Sequence, residues 1–543
     1  MQTMRLSRST WVVVLAIAGS AVAGGLFGGQ VLATQEDVPR YYSLFSSALS
    51  AVEANYVEPV DTEPLIFGAI HGMLQTLDPH SSFMSPKQYA QMRERQEGRY
   101  YGLGIQILVS DGDITVTTVF ESSPAYQQGL RTGDVIARIE GEDTKGWTSD
   151  QAVGQLRGPR GTPVSIGVRR YGYDELIQME VLRDEIHIPS IPAAFMADAT
   201  TGYVRLQDFS ETTDDELGEA LRKLSSAGME RLLLDLRSNP GGPLDQAIRV
   251  SNRFLPRGDL IVYTRGRIAN SDQDYPATER SEYTELPLVV LTNRDSASAS
   301  EIVSGALQDH DRAVIVGETT FGKALVQSVY RVSQEAGLAL TTARYYTPSG
   351  RMIQRPWDGT FDEYLTYRLR DQEEREHADS ELKFTDSGRE VFSGGGIEPD
   401  HRVVGPLEGG FNPGRVGRAL YNRGVFVGYA QRFTAEGDQR VSVESTNRRT
   451  VSADFAVDAA MIEDFATYAR TQIPRFDEAG FRQDLDFVRA MIRFEIDRAL
   501  FGMAEARRHL VQVDPQAQLA VSLFGEAEAL RRTARTNRSA AAR

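Results

Sequence analysis

Apolar residues in the first part of the chain recur at spacings of three and four. Two stretches show the pattern, YYSLFSSALSAVEANYV from Tyr41 and LIFGAIHGMLQTL from Leu65. This spacing places the apolar side chains on one face of a helix. The pattern stops at DPHSSF, residues 78–83. We therefore predict a small helical region over residues 35–98 that is interrupted at this motif.

A second pattern, of short strands separated by glycine and aspartate, begins after Tyr101. The segments GLGIQILVSDGDITVTTVF and TPVSIGVRRYG are examples. Strand-length runs that are bounded by turn residues at short intervals are typical of a compact, strand-rich fold. We predict such a β-rich module over residues 99–184.

Strands and helices alternate in the third region, residues 185–404. RLLLDLR (231–237) and LPLVVLTN (286–293) are apolar runs of buried-strand length, and each is followed by a loop and a helical pattern. This alternation indicates an α/β domain. Between residues 358 and 393 the hydrophobic signal falls and charge rises, which indicates an insertion on the surface.

The last part of the chain, residues 405–543, is predicted to be a helix-rich extension. Phe481, Leu485, Val488 and Ile492 fall on one face of a long amphipathic helix. That face can pack on the rest of the protein or bind a partner. Packing is the simpler interpretation, because every amphipathic helix of a globular protein has such a face.

The N-terminus carries an uncharged apolar stretch, WVVVLAIAGSAVAGGLFGGQVLA, that is preceded by Arg5 and Arg8. Its length of about 23 residues just spans a bilayer, whereas AVA (21–23) resembles a signal-peptide cleavage site. A buried core helix fits poorly because glycine is frequent. Positive charge ahead of the stretch places the bulk of the chain outside the cytoplasm. Residues 1–34 are therefore predicted to be a signal peptide or a membrane anchor, and the protein to be periplasmic or held in the inner membrane facing the periplasm.

Composition narrows the classes of function. The chain has 543 residues, a formal net charge of −16 and no cysteine. This length implies several modules with cores of their own, and the acidic balance argues against nucleic acid as a partner. Without cysteine, disulfides, thiolate metal sites and cysteine nucleophiles are excluded. The histidines are scattered and form no HExxH motif or similar ligand pair, so no metal site is predicted.

Three serines are packed into the first five positions of SASASEIVSGALQDHDRAVIVGETTFGKALVQ, residues 296–327. They lie where a predicted strand gives way to a helical pattern that begins at Glu301. Unpaired amides at such a helix start can stabilise an oxyanion, which favours a catalytic serine. The spacing Ser298-x-x-Glu301 also fits a capping box, in which the serine only satisfies the helix start. Local sequence therefore leaves Ser296, Ser298 and Ser300 all open.

A serine nucleophile needs a base, and the nearby candidates are His310 and Lys323. In a continuous helix His310 would lie about twelve residues, or roughly 18 Å, beyond Ser298, which makes it a poor base. Lys323 has apolar neighbours, and burial among them would favour the neutral amine that a lysine base requires. A surface lysine is the simpler interpretation. Gln327 follows four positions later, on the same face of a helix or strand, where its amide oxygen could hold the lysine amine.

A glycine-rich turn follows the strand RLLLDLR, in the order Ser238, Asn239, Pro240, Gly241 and Gly242. Glycine lets backbone amides approach a ligand closely. A phosphate cradle is disfavoured because no GK[ST] motif follows and the flanks are not basic. A plain strand-to-helix turn is the default interpretation. Beside a serine on a neighbouring strand end, however, the turn could supply a second oxyanion donor.

Together these motifs resemble the carboxyl-terminal processing peptidases, the tail-specific serine proteases. The resemblance spans residues 40–404 and rests on ANYVEPVD, LDPHSSFM, DLRSNPGG, the serine-to-lysine block, ARYYTPSGRMIQ and GGGIEPD. It implies that the third region is a ClpP/crotonase-like α/β serine protease domain.

The resemblance also implies a role for five residues. The nucleophile would be Ser298, the base Lys323, and the residue that orients the lysine Gln327. The oxyanion hole would be formed by the backbone amides of Gly242 and Ala299. The other two serines of the motif would then be polar residues of the helix start.

The β-rich module resembles a PDZ domain through YYGLGIQI and SPAYQQGLRTGDVIARIEG. In that fold the amides of a short loop capture a chain-terminal carboxylate, and the next strand accepts the peptide as an added strand. The residues that match this loop are Gly102, Leu103, Gly104 and Ile105. Family members also let the PDZ domain gate the active site, so regulation through it is a hypothesis for this chain.

The resemblance predicts a serine endopeptidase without metal or organic cofactor that holds unfolded or extended polypeptides by their C-termini and processes or degrades exported proteins. One alternative is a catalytically inactive PDZ-type scaffold in the periplasm, and another is a Ser/His hydrolase of small esters that uses His310. A homo-oligomer, an adaptor protein and the membrane, through a retained N-terminal segment, stay open as partners. Nucleic acid is not expected.

Overall fold

The computed structural model describes residues 37–110, 112–333, 335–357, 364, 366, 376–437 and 451–541. The predicted signal or anchor segment, residues 1–34, lies outside these ranges, as does part of the charged insertion. None of the helices within these ranges combines the length and the hydropathy that crossing a membrane requires. The chain divides into two compact units, residues 1–78 and 79–543.

The first unit contains helices α1 (Asp37–Asn55) and α2 (Thr62–Gln75). The Asp61 carboxylate caps α2 by accepting the amide of Glu63, as expected of an N-cap aspartate. The second unit begins with strand β1 (Ser82–Met84) and helix α3 (Pro86–Glu97). The predicted helical start of the chain is therefore confirmed, as is its interruption at DPHSSF.

The β-rich module is an antiparallel sheet with two short helices. Its elements are β2 (Arg99–Gly102), β3 (Ile105–Ser110), β4 (Asp113–Val119), α4 (Pro124–Gln127), β5 (Val135–Ile139), β6 (Glu142–Asp143), α5 (Ser149–Leu156), β7 (Pro163–Arg169), β8 (Ile177–Leu182) and β9 (Asp184–His187). The sheet has the order β3-β4-β5-β7-β8, with β6 paired to β5. Strands β2 and β9 pair with each other, so the chain enters and leaves the module side by side.

The third region has the predicted α/β architecture. Its elements are β10 (Ala193–Met196), β11 (Thr201–Arg205), α6 (Thr213–Ser226), β12 (Arg231–Asp235), α7 (Leu244–Asn252), β13 (Leu260–Arg265), β14 (Gln273–Pro276), β15 (Leu288–Thr292), α8 (Ala299–Asp309), β16 (Val314–Gly317), β17 (Leu325–Arg331), β18 (Gly337–Tyr346), β19 (Leu382–Phe384), β20 (Glu390–Phe392) and β21 (His401–Arg402).

Two sheets organise this region. The first has the order β10-β11-β12-β15-β16-β21 and is parallel except for β10. The second is antiparallel, with the order β1-β18-β13-β14 and β17 paired to β18. The carboxyl ends of β12 and β15, adjacent in the first sheet, carry the glycine-rich turn and the serine motif. Such an edge is where open α/β sheets place their ligands.

The C-terminal extension is helical, as predicted. Its helices are α9 (Arg415–Asn422), α10 (Val425–Gly437), α11 (Ala459–Gln472), α12 (Glu478–Gln483), α13 (Leu485–Leu500), α14 (Met503–Val511), α15 (Pro515–Ser522) and α16 (Phe524–Ala541). The prediction of one long helix through Phe481 and Ile492 is wrong, because the chain changes helix at Asp484. The Asp484 carboxylate accepts the amides of Gly414 and Gly417, each at 2.7 Å, which anchors the break to the start of α9.

Both faces of the first sheet are covered. Leu232 and Leu234 of β12 lie in one core with residues of α6, α7 and α8. Leu233, which points the other way, lies in a second core with Ala517 of α15 and Phe524 of α16. Parallel sheets are buried on both faces as a rule. The last helices of the extension therefore pack on this sheet, whereas Phe481, Val488 and Ile492 pack in a separate core formed within the extension.

Candidate active site

Strand β15 leads into a short loop, and helix α8 starts directly after Ser298. Ser298 has φ +56° and ψ −110°, a sparsely populated conformation for a residue with a side chain. The Glu301 carboxylate accepts the Ser298 amide at 2.8 Å, as in a capping box, and the Glu301 amide donates to the Ser298 carbonyl at 2.9 Å. An N-cap residue is ordinarily extended, so the conformation of Ser298 exceeds what capping requires.

The two other serines of the motif are fully buried and engaged. Ser296 Oγ donates to the carbonyl of Leu236 at 2.9 Å, and Ser300 Oγ donates to the carbonyl of Asn239 at 3.0 Å. Ser298 is partly exposed. Of the three serines, it alone is accessible to solvent and is not engaged with a distant carbonyl.

Two buried side chains hold the backbones of Ser298 and Lys323 together. The Glu301 carboxylate accepts the amides of Ser298 (2.8 Å), Gly322 (2.6 Å) and Lys323 (2.9 Å). The Tyr345 hydroxyl lies 2.5 Å from the carbonyl oxygen of Lys323 and 3.2 Å from that of Ser298. We call Glu301 and Tyr345 the backbone clamp. It fixes the backbone positions from which the side chains of Ser298 and Lys323 extend.

Burial shapes the chemistry of the backbone clamp. It raises the pKa of Glu301 above the usual range, while hydrogen bonds from Thr320 and from backbone amides work against that shift. It also raises the pKa of Tyr345 well above its ordinary value, and the nearby Glu301 carboxylate adds to the effect. Tyr345 therefore remains a neutral hydrogen-bond donor.

The glycine-rich turn lies against the start of α8. A Cβ atom built on Gly241 would be 2.8 Å from the Ala299 nitrogen and 2.8 Å from Ser298 Cβ, and one on Gly242 would be 2.1 Å from the carbonyl oxygen of Phe209. The Gly241 amide donates to Asn239 Oδ1 at 2.9 Å. The amides of Gly242 and Ala299 have no acceptor within the described part of the chain. Gly241 thus lies against Ser298, and the next residue, Gly242, and Ala299 each carry an amide without an acceptor, the kind of donor that an oxyanion hole requires.

The side chains of Ser298, Lys323 and Gln327 are not hydrogen-bonded to one another in the described residues. Gln327 Nε2 instead donates to Thr341 Oγ1 at 3.4 Å. Lys323 precedes β17, and the pairing of β17 with β18 shifts register between Val326 and Gln327. Such a bulge disturbs the regular alternation of side chains, so the spacing of four does not place the lysine and glutamine on one regular face.

His310 lies at the end of α8 opposite to Ser298. Its Nδ1 is 2.9 Å from Asp386 Oδ2 and its Nε2 is 2.7 Å from the carbonyl oxygen of Leu260. Burial works to lower the pKa of His310, but the hydrogen bond and charge of Asp386 raise it overall. Both ring nitrogens are thus engaged away from the serine. Over the described ranges, no cluster of three or more histidine or acidic side chains is arranged to hold a metal ion.

The predicted PDZ loop runs from the end of β2 to the start of β3. Gly102 ends β2, Leu103 is buried, Gly104 has φ +84°, and Ile105 begins β3. The amides of Leu103 and Gly104 have no acceptor among the residues described. Beside them lies a cavity of about 660 Å³ between β3 and α5, and Arg157 is one of its lining residues. Free amides at the end of a groove beside an open strand suit a peptide with a terminal carboxylate.

Several residues of the site were not singled out by sequence reasoning. Glu301 was considered only as a partner in a capping box, and Tyr345 was quoted only within ARYYTPSG. Asn239 was named in the turn without a role, yet its carbonyl also accepts the amide of Ala297 at 3.0 Å. Glu301, Tyr345 and Asn239 all lie inside motifs that carry the family resemblance, and this placement was the sequence signal that could have pointed to them.

Residues 200–360 match the model of Peptidase family S41, residues 91–169 match the PDZ domain, and residues 30–88 match the Activating protease CtpB N-terminal domain. The chain is thus a peptidase of family S41 that carries a PDZ domain.

Curated relatives narrow this class. The Carboxy-terminal-processing protease of Bartonella bacilliformis is 39% identical over 349 residues, which cover 63% of this chain and 80% of the relative. The Carboxy-terminal processing protease CtpA of Bacillus subtilis is 32% identical over 348 residues, covering 63% of this chain and 74% of that protein. A solved photosystem II D1 C-terminal processing protease is 31% identical, covering 57% and 89% of the two chains with a TM-score of 0.33. The chain belongs to the carboxy-terminal processing proteases, which are serine peptidases.

Proposed function

We propose that the protein is an endopeptidase that cleaves polypeptides with a dyad of Ser298 and Lys323. The observation that carries this proposal is the setting of Ser298. Ser298 has a strained backbone and is partly exposed where helix α8 begins against the glycine-rich turn, and the backbone clamp ties it to the backbone of Lys323.

In the proposed reaction the neutral Lys323 amine takes the hydroxyl proton of Ser298 as Oγ bonds to the scissile carbonyl carbon. The amides of Gly242 and Ala299 stabilise the oxyanion, each worth roughly 3–4 kcal/mol in comparable hydrolases. Lys323 returns the proton to the leaving amine as the C–N bond breaks. Water then hydrolyses the acyl-enzyme, with Lys323 as base again.

This reaction requires the dyad to close. A general base acts within about 2.6–3.2 Å of the proton's heavy atom, and such contacts often tighten only when substrate binds. We infer that substrate brings Lys323 Nζ to Ser298 Oγ and that the Gln327 amide oxygen then orients the amine. The lysine lies in the loop before β17, so it can move without breaking the β17–β18 pairing.

We propose that the PDZ domain recruits the substrate by binding its C-terminal tail. The amides of Leu103 and Gly104, in the loop from Gly102 to Ile105, would receive the terminal carboxylate, and the strand β3 would pair with the extended tail. PDZ domains bind peptide C-termini in this way. The substrates would then be unfolded or extended polypeptides with an accessible C-terminus, cut for processing or degradation.

We further infer the cell compartment and the fold type. Residues 1–34 would export the chain to the periplasm or anchor it in the inner membrane, and N-terminal sequencing of the protein from isolated periplasm and membrane would distinguish these outcomes; recovery from cytosol alone would overturn both. The βα units of the parallel sheet support a ClpP/crotonase-like domain over residues 185–404, to be checked by an experimental structure.

The central test uses an unstructured polypeptide with an apolar C-terminus and mass spectrometry of the products. The parent should cleave, whereas Ser298→Ala and Lys323→Ala should not. Ser226→Ala and Lys223→Ala, at exposed positions of α6, are matched controls that should behave as the parent. Cleavage by Ser298→Ala would place the nucleophile elsewhere. Tail binding without cleavage by the parent would favour the scaffold alternative.

A second measurement addresses the histidine alternative. His310→Ala should retain cleavage if it folds, because both ring nitrogens face Asp386 and Leu260 rather than Ser298. Loss of activity in a folded His310→Ala protein, together with activity in Lys323→Ala, would reverse the assignment of the base.

A further inference from the structure

The C-terminal extension reaches the loop that carries the proposed oxyanion donor. Asp514 caps helix α15 through Oδ1, which accepts the amides of Gln516 (2.8 Å) and Ala517 (3.0 Å). Its other oxygen, Oδ2, pairs with Arg237 Nη2 at 2.7 Å. Gln516 Oε1 accepts from Arg237 Nη1 at 2.8 Å. Two residues of the extension therefore hold one arginine of the protease domain.

Arg237 is part of a buried, charge-balanced cluster at the end of β12. It donates to both carboxylate oxygens of Asp235, at 3.0 Å and 2.7 Å, and Arg205 pairs with the same carboxylate at 2.7 Å. The four charged residues of this cluster, Arg205, Asp235, Arg237 and Asp514, are each less than a tenth exposed. Burial alone would raise the pKa of Asp235, but the two arginines hold it well below its usual range.

The chain passes directly from Arg237 into the glycine-rich turn. Ser238 has φ +55°, and its amide donates to Asn293 Oδ1 at 2.6 Å, which ties the turn to the loop that leads to Ser298. Gly242, the proposed oxyanion donor, is reached four residues after Ser238. Without the Asp514 charge, Arg205 and Arg237 would share the single carboxylate of Asp235. Because incompletely compensated buried charge is costly, we expect Arg237 to shift at the base of this turn.

We propose that Asp514 and Gln516 are positioning residues for catalysis, which act through Arg237 to hold the Gly242 amide in place. The C-terminal extension is then a support for the oxyanion site as well as a cover for the sheet. This inference rests on the proposed function, because it presumes that Gly242 stabilises the oxyanion.

The main test variant is Asp514→Asn in the full chain. It keeps the size of the side chain and an oxygen that can cap α15, but it removes the charge that faces Arg237. The matched control is Asp458→Asn, which alters the N-cap of α11 in the same extension, where the carboxylate accepts the amide of Met461 at 2.8 Å.

Three quantities separate positioning from general stability. They are kcat, KM for a cleavable peptide, and the affinity for a peptide boronic acid, whose tetrahedral serine adduct places an oxygen in the oxyanion hole. We expect Asp514→Asn to lower kcat about tenfold and to weaken boronate binding by a similar factor, with KM within about twofold of the parent. Asp458→Asn should match the parent in all three.

Gln516→Ala provides a second variant if Asp514→Asn does not fold. It should change kcat and boronate affinity in the same direction by a smaller factor, with KM preserved. Parental kcat and boronate affinity in the folded variants, or equal losses in Asp458→Asn, would overturn this inference but leave the proposed function intact. If the parent itself neither cleaves peptide nor binds the boronate, the proposed function fails and this inference fails with it.

Discussion

At the scale of single residues, the geometry of the site depends on buried side chains that bind main-chain atoms. The backbone clamp joins a residue of the first helical turn of α8 to one in strand β18, and both act on main-chain atoms of Ser298 and Lys323. Such contacts set the direction in which the side chains of Ser298 and Lys323 leave the backbone. A shift of one ångström in such a constellation can cost about a hundredfold in rate.

Replacing Tyr345 with phenylalanine tests the clamp. Tyr345→Phe removes the hydroxyl that meets the carbonyls of Ser298 and Lys323 and changes little else. We expect kcat to fall about tenfold, or about 1.4 kcal/mol in activation free energy, with KM nearly unchanged. The neighbouring Tyr346→Phe, which stacks on Tyr263, is the control. Equal kcat values for the two variants would show that the hydroxyl does not matter.

Asp208 makes stability depend on pH. Burial raises its pKa to about 6, against a weaker opposing hydrogen bond from Phe209. A carboxyl group with a raised folded-state pKa binds protons better in the folded than in the unfolded protein. Its contribution to stability is therefore present below about pH 4 and is lost as pH rises to about 6.

The corresponding variant is Asp208→Asn, which cannot ionise. We expect it to be more stable than the parent at pH 8, by on the order of 2 kcal/mol, and to lose this advantage at pH 4. Urea unfolding at both pH values measures the difference. Asp215→Asn, on α6, serves as the control, and an advantage that does not change between the two pH values would contradict the assignment.

At the scale of elements, the turn between β2 and β3 decides whether the PDZ groove can take a carboxylate. Gly104 has φ +84°, and a Cβ atom there would lie 2.2 Å from Ser123 Cβ. Gly129 has a similar φ of +80° but open space around the added atom. The two glycines share a positive φ, which would strain any replacement equally, and they differ in the crowding around the added atom.

This pair of glycines gives a prediction for tail binding. Gly104→Ala should weaken binding of a peptide with a free C-terminus by about tenfold or more, because the loop must shift away from Ser123. Gly129→Ala should bind as the parent does. Fluorescence anisotropy with the free and the C-terminally amidated peptide measures both effects. Equal affinity of the parent for the two peptides would argue against carboxylate capture.

At the scale of the whole molecule, the extension is part of the protease core. Leu233, Val289 and Leu291 of the sheet are fully buried in the core that includes α15 and α16. Each such side chain contributes roughly 1.5–3 kcal/mol when buried, and whole domains are stable by only about 5–15 kcal/mol.

A chain that ends at residue 404 should therefore fail to fold into a soluble protease, whatever the role of the extension in catalysis. A chain that ends at residue 535 keeps the buried Ala527 and Ala534 and should remain soluble. Yield of soluble protein and the cooperativity of thermal unfolding measure the difference. A soluble, cooperatively unfolding chain that ends at 404 would show that the sheet does not need this cover.

Much of the fold was predictable because it depends on neighbours in sequence. Apolar spacing predicted the helices at the start of the chain, the strands of the β-rich module and the α/β alternation that follows. The failure at Asp484 has a non-local cause that apolar spacing does not report, since the Asp484 carboxylate binds amides of Gly414 and Gly417, about seventy positions away.

The sequence by itself determined the class of enzyme and the candidate residues, because the serine motif, the glycine-rich turn and the lysine are short patterns with a fixed order. Only the tertiary structure showed how Ser296 and Ser300 are engaged, brought Glu301 and Tyr345 to the same backbone segments, and paired Asp514 with Arg237. These relations depend on which strands are adjacent and which faces they bury. They arise from contacts between distant segments, which the periodicity of a single segment does not encode.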